Sequence, residues 1–208
     1  TLAQGMDKTV LMKKTSAATL HKVYSTTLQG ITVQSGDIIC TTDGNTEIPP
    51  GEFWRFIGRL LPGDVDHIVI YIGPGGRCVE AGGLGVITFA FENGIWDGTR
   101  MLSQRGMLVD TLFGVAYPLR RRGYSPAEEK RIRLEVANFC LAQVGKPYNL
   151  NFLNPDAEDS YYCSQLAYRA YLLHQINLNT GRMMPKLPAT EAIIFPQEIW
   201  DVCEHQQV

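Results

Sequence analysis

Apolar positions fall into short runs in the first half of the chain and into helically spaced stripes in the second. Residues 35–40, S-G-D-I-I-C, read as a turn entering a buried strand. Residues 67–72, H-I-V-I-Y-I, are apolar almost without a break, as in a strand covered on both faces. The P-G-G turn at 74–76 folds the chain back into a strand over 77–81. Period-two alternation there sets Cys78 and Glu80 on one face and Val79 on the other. Gly82-Gly83 ends it, and two further strands are predicted over 85–91 and 111–119, with a weakly patterned connection over 92–110. Short strands joined by tight turns without intervening helices predict an antiparallel sheet.

Helices follow. Ser125-Pro126-Ala127-Glu128 is a capping box with proline in the first turn. Ile132, Val136, Phe139 and Cys140 form its buried stripe, and Gly145 and Pro147 stop it. A polar loop over 148–159 leads to D-S-Y-Y-C-S-Q-L-A-Y-R-A-Y at 159–171. Cys163, Leu166, Ala167, Ala170 and Tyr171 share one helical face there, with Asp159 or Ser160 as N-cap. Residues 177–188 form a Met- and Pro-containing loop, and 190–203 end the domain. Residues 1–30 are a moderately polar extension with a short helix near 15–24, and 52–63 are apolar and aromatic, either a packed helix or a wall beside a site. The whole, 1–208, reads as a single α+β domain: an antiparallel sheet packed against helices.

Composition narrows the partners. The chain has 208 residues, 45% hydrophobic and 19% charged, with 19 basic and 21 acidic residues giving a net charge of -2. No bulk electrostatic attraction to nucleic acid follows, and Arg120-Arg121-Arg122 reads as a solvated strand end. No apolar run reaches the ~18–20 residues of a transmembrane segment. Thr1 in place of Met reads as a processed or trimmed form. If a signal segment preceded it, the protein is extracytoplasmic or of the cell envelope. Five cysteines contain no C-x-x-C pair, and their odd number leaves at least one thiol free within the chain; Cys40, Cys78 and Cys140 lie in core segments.

Cys163 is the candidate nucleophile. In the first turn of a helix, unpaired N–H groups and the helix dipole favour a thiolate. A buried structural cysteine is the alternative, since free Cys is among the most buried residue types. A thiol needs a base, and His67, at the head of an apolar strand, fits. His174 lies 11 residues beyond Cys163 on the same helix, roughly 16 Å away, while His21 and His205 fall in the N-terminal extension and a C-terminal tail. The base needs an orienting group. Glu80, folded beside the His67 strand by the turn, is the choice over Asp37, Asp64 and Asp66. The backbone N–H of Cys163 and the hydroxyl of Tyr148, Tyr161 or Tyr162 are candidate oxyanion donors. A zinc set of Asp64, His67, Glu80 and Cys163 is the metal alternative, but structural zinc usually takes several Cys or His at short spacing. Trp54 within 52–63, the loop after Tyr148 and the 177–188 loop are candidate substrate walls.

Four stretches carry a family resemblance: S-G-D-I-I at 35–39, D-H-I-V-I-Y-I-G at 66–73, V-E-A at 79–81 and Y-Y-C-S-Q-L-A-Y at 161–168. P-Y-N-L-N-F at 147–152 and F-P-Q-E-I at 195–199 add to it. In this order they resemble the circularly permuted, papain-like NlpC-type cysteine hydrolases, nearest the YaeF/YiiX-like group, over residues 35–199. The resemblance implies a triad of Cys163, His67 and Glu80 on a papain-like fold whose nucleophile helix comes late in the chain. It also implies hydrolysis of an amide or ester through an acyl-enzyme. Asn149 stands where the family often has aspartate. The resemblance does not fix the substrate. The reading is an amide of a small peptide or cell-wall-type substrate or another acyl-amide. The Trp, Phe, Leu and Met of the wall segments point to an apolar portion, and neither metal nor cofactor is called for. A thiol acyltransferase, a lipid-ester hydrolase and a non-catalytic binding domain remain the alternatives.

Overall fold

The computed structural model describes residues 19–43, 63–106, 108–181 and 192–208. Strands β1 (Ser25–Leu28) and β2 (Ile31–Gln34) form a hairpin. Its two-residue Gln29-Gly30 turn has positive φ at both positions, 46° and 86°, the geometry that matches the twist of a tight hairpin. β3 (Ile38–Asp43), β4 (His67–Tyr71), β5 (Arg77–Gly82), β6 (Gly85–Ala90), β7 (Asp110–Tyr117) and β8 (Glu204–Gln207) form an antiparallel sheet in the order β6-β5-β4-β3-β7-β8. Four helices lie among the described residues: α1 (Leu102–Arg105), α2 (Pro126–Ala142), α3 (Cys163–Leu172) and α4 (Pro196–Val202).

Alternation along the strands feeds two cores. Ile38, Cys40, Ile68, Ile70, Val79 and Ala81 face α2 and α3, meeting Ile132, Val136, Leu166 and Ala170. Ile39, Val69, Tyr71, Cys78 and Phe89 face the other way, under Leu28, Ile31, Val33 and Trp96. Both faces of β4 are covered, which is why that strand is apolar from Ile68 to Tyr71. Between Cys40 and Thr41 the register of β3 on β7 shifts: Cys40 pairs with Gly114 and Thr41 with Leu112, leaving Phe113 as a bulge.

The capping box forms as expected: Ser125 Oγ accepts from the Glu128 N–H at 3.3 Å, and Glu128 Oε2 accepts from the Ser125 N–H at 3.0 Å. Ser125→Ala is expected to cost about 1 kcal/mol. Thermal denaturation of the variant is then expected to fall by roughly 2–4 °C; an unchanged midpoint would remove the cap from the account of α2.

Three expectations are corrected. Residues 19–24 are not helical. The side chain of Asn138 on α2 clasps both backbone groups of Leu20, at 2.7 and 3.0 Å, and a short isolated helix cannot compete with such tertiary pairing. α3 starts at Cys163 with Tyr162 as N-cap, rather than Asp159 or Ser160. Tyr161 is held extended by backbone bonds to Pro147 and Asn149, so the helix cannot begin earlier. His205 is in β8 rather than a tail; its ring stacks on Trp200 at 4.1 Å and its Nδ1 meets the carbonyl oxygens of Trp200 and Cys203. Residues 1–18, 44–62 with Trp54, and 182–191 lie outside the described residues. No helix among the described residues is long and apolar enough to cross a membrane.

Candidate active site

The ladder between β4 and β5 pairs Ile70 with Val79 and Tyr71 with Cys78. Continued by one residue, it sets Glu80 opposite Val69, diagonal to His67 and on the same face. The side chains meet there: His67 Nε2 and Glu80 Oε2 are 2.8 Å apart, with Glu80 fully buried and the His67 side chain 13% exposed. This uses Nε2 and leaves Nδ1 for a second partner. Of the competing acids, Asp37 is paired with Arg133 at 2.7 Å, and Asp64 lies in an exposed turn.

The second partner is the thiol of Cys163, in the first turn of α3, which packs against β4 and β5. Burial raises a thiol pKa, but here the charge of His67, its hydrogen bond and backbone hydrogen bonds from Ile68 and Ser164 outweigh it, and the pKa falls below the ordinary value. The imidazole responds in the opposite sense. Burial would lower its pKa, yet Cys163 and then Glu80 carry it up to about 10. Both shifts run in the direction that favours a thiolate beside an imidazolium. The remaining thiols, Cys40, Cys78, Cys140 and Cys203, are buried and have raised pKa values, first because of desolvation.

Behind Glu80 lies a group that no sequence pattern disclosed. Arg105 donates from Nε to Glu80 Oε1 at 2.9 Å and from Nη2 to Glu80 Oε2 at 2.7 Å. It also reaches Asp110, through Nη1 to Oδ1 at 2.6 Å and Nη2 to Oδ2 at 2.9 Å. Asp110 in turn accepts from Trp96 Nε1 at 2.9 Å and from the Thr41 hydroxyl at 2.7 Å. Burial would raise the Glu80 pKa, but Arg105 and His67 bring it down to about 2. Arg105 lies within the segment read as weakly patterned and Asp110 ends it, and α1 is a single turn, too short for any periodic signal.

The tyrosines divide. In extended backbone, neighbours point to opposite sides. Tyr161 turns onto Phe139 and under Lys146, and the charges that act on its hydroxyl are those of Arg169 and Glu158 rather than Cys163. Tyr162 turns inward, and its hydroxyl accepts from the Ile194 N–H at 3.2 Å. Burial and then Cys163 push the Tyr148 phenol well above its ordinary pKa, and burial and Cys163 also raise that of Tyr162, so both stay protonated. Phe152 packs edge-on against both Tyr148 and Tyr162, while Leu150 and Leu153 stay exposed.

Gln165 fixes this loop to the helix start. Its Oε1 accepts from the Tyr162 N–H at 3.1 Å and from Asn149 Nδ2 at 3.0 Å, and its Nε2 donates to the carbonyls of Pro155 and Ala157. Asn149 donates to Gln165 and to the Asn154 carbonyl, where an aspartate could not, and so acts as a structural amide. Among the described residues, no group of three or more His, Cys, Asp or Glu is arranged to hold a metal ion.

No curated protein and no solved structure matches the chain. The family model of the permuted papain-like amidase enzymes, YaeF/YiiX, C92 family, matches residues 32–204. The chain therefore belongs to the permuted papain-like amidase family, and it is an enzyme of the cysteine peptidase or amidase type.

Proposed function

We propose that the protein cleaves an amide bond of a small peptide or acyl-amide through an acyl-enzyme on Cys163, with His67 as base and Glu80 as its orienting group. The observation that carries this reading is the placement of His67, hydrogen-bonded to Glu80 at 2.8 Å on one side and to the Cys163 thiol at the start of α3 on the other. The sequence of steps follows from the chemistry. The thiolate attacks the carbonyl carbon, forming a C–S bond and a tetrahedral oxyanion. The Cys163 backbone N–H and the Tyr148 hydroxyl are the donors for that oxyanion. His67 gives its proton to the leaving nitrogen as the C–N bond breaks. It then takes a proton from water, which attacks the thioester and releases the carboxylic acid and the thiolate. In papain-like terms the nucleophile helix, first in the ordinary order, is here α3, after β7 and before the edge strand β8.

β3 ends at Asp43 and β4 begins at His67, at the same end of the sheet. Residues 52–63, Trp54 among them, and residues 177–188 serve as substrate walls in this reading. The 208 residues act as one catalytic domain. Phe152, Leu150 and Leu153 offer an apolar surface for part of the substrate. The same two exposed leucines favour one second reading, acyl transfer or ester hydrolysis with a lipid-like acyl group. Added amine acceptors separate the two: transfer product in place of free acid would select the second.

The test is the alkylation of Cys163 by iodoacetamide against pH, followed by peptide mass spectrometry in wild type and His67→Ala. The other thiols are buried with raised pKa values, so the acidic limb reports Cys163. It is expected well below pH ~8.5, the unperturbed thiol value, and to return there in His67→Ala. A wild-type limb near pH ~8.5, indifferent to His67, would reject the triad.

A further inference from the structure

We infer that Arg105 is a positioning residue of this site, clamped between Glu80 and Asp110 so that Glu80 stays ionised and correctly aimed at His67. The inference rests on the triad proposed above and extends it by one layer. Glu80 Oε2 is shared: it lies 2.8 Å from His67 Nε2 and 2.7 Å from Arg105 Nη2. Glu80 Oε1 faces Arg105 Nε at 2.9 Å. Arg105 thus grips both oxygens of the carboxylate in a planar fork, which fixes its rotation as a single contact could not. The arginine is itself fixed. Asp110 takes two further donors, Trp96 and Thr41 hold Asp110, and the guanidinium lies 4.5 Å from the Phe89 ring centre and 5.0 Å from that of Trp96.

The charges explain why a cation is needed. The groups that face Arg105 or act on the site are Glu80 and Cys78 from β5, Asp110 from β7, His67 from β4 and Cys163 from α3. Glu80, Arg105 and Asp110 have side chains at most 1% exposed. Without Arg105, two carboxylates would share a dry space, and one of them would bind a proton. A protonated Glu80 no longer favours the imidazolium, and the thiolate beside it loses its counter-ion. Arg105 touches neither substrate nor sulfur; it acts through Glu80 and His67.

The experiment reads the acidic limb of Cys163 alkylation with iodoacetamide in Arg105→Lys, Arg105→Gln and the Arg105→Gln/Asp110→Asn double variant, with circular dichroism to confirm folding. Arg105→Gln is expected to move the limb up by at least about one pH unit, an approximately tenfold loss of alkylation rate below it. Arg105→Lys keeps the cation and is expected to stay near the wild-type limb. The double variant, freed of the unpaired second carboxylate, is expected between wild type and Arg105→Gln. If Arg105→Gln does not fold, the other two decide: Arg105→Lys near wild type with the double variant above it supports the inference. A folded Arg105→Gln, or a double variant, with the wild-type limb overturns it. A purely structural arginine would change stability while leaving the limb in place. A wild-type enzyme lacking a depressed limb would instead overturn the triad itself, so the two failures are distinguishable.

Discussion

Cys163→Ala is expected to lose at least about 10,000-fold in turnover of a peptidyl or acyl amide, because a residue that forms the covalent intermediate has no substitute. Loss of the nucleophile leaves only binding and oxyanion donors. None of the other thiols can take over: Cys40, Cys78, Cys140 and Cys203 are buried with raised pKa values. Cys163→Ser is expected to be nearly as inactive, since a hydroxyl is far less acidic than a thiol and His67 is matched to a thiolate. The structural cost is small, as Cys163 sits in the first turn of α3 and alanine suits a helix. Far-ultraviolet circular dichroism should therefore remain that of the wild type. The measurement is product formation by mass spectrometry across a panel of acyl amides, together with the mass of the protein during turnover. Wild type should gain the acyl mass and Cys163→Ala should not. A Cys163→Ala variant within tenfold of wild type on any turned-over amide would remove the covalent mechanism.

What the chain discloses by itself depends on how local each cause is. The apolar run at 67–72 and the P-G-G turn place His67 and Glu80 on neighbouring strands, since a tight turn folds strand 77–81 straight back beside strand 67–72. Ser125 and Glu128 announce α2, because a capping box is satisfied within four residues. The helix around Cys163 is legible from its apolar face, but its first residue is not. That boundary is decided by Pro147 and Asn149, which are distant in sequence from Cys163. β8 escapes notice for a related reason. Glu204–Gln207 is polar and at the sheet edge, so pairing with β7 and stacking of His205 on Trp200, rather than burial, make it a strand. Arg105 is the hardest case. Nothing in L-S-Q-R-G distinguishes it from a surface arginine, and its role exists only once β5, β7 and α1 have converged. Buried charge networks of this kind are assembled by tertiary contacts, and period and propensity do not encode them.

Glu80→Ala is expected to destabilise the fold by about 3–5 kcal/mol, the range for removing one partner of a buried ion pair. Arg105, with no exposed side-chain surface, would lose two of its four hydrogen bonds, and His67 would lose its Nε2 partner. At roughly 2–4 °C per kcal/mol for a chain of this size, the melting temperature should fall by about 6–20 °C. The pH dependence carries its own sign. The Glu80 pKa is lowered from 4.5 to about 2 in the folded protein, so the folded state releases its proton more readily than the unfolded one. The stabilisation is therefore fully present above pH 4.5 and is lost as pH falls towards 2, a contribution on the order of 3 kcal/mol. Glu80→Ala should lack that part of the acid transition, and the gap between the two melting curves should narrow as pH drops. Glu80→Gln keeps one acceptor for Arg105 or His67. It should cost less stability, and it should lose on the order of 100-fold in turnover, the scale of a misaligned group, far less than Cys163→Ala. If Glu80→Ala melts within 2 °C of wild type at neutral pH, the carboxylate is not the buried anchor of Arg105. If Glu80→Gln turns over as fast as wild type, Glu80 holds up the fold and has no part in orienting His67.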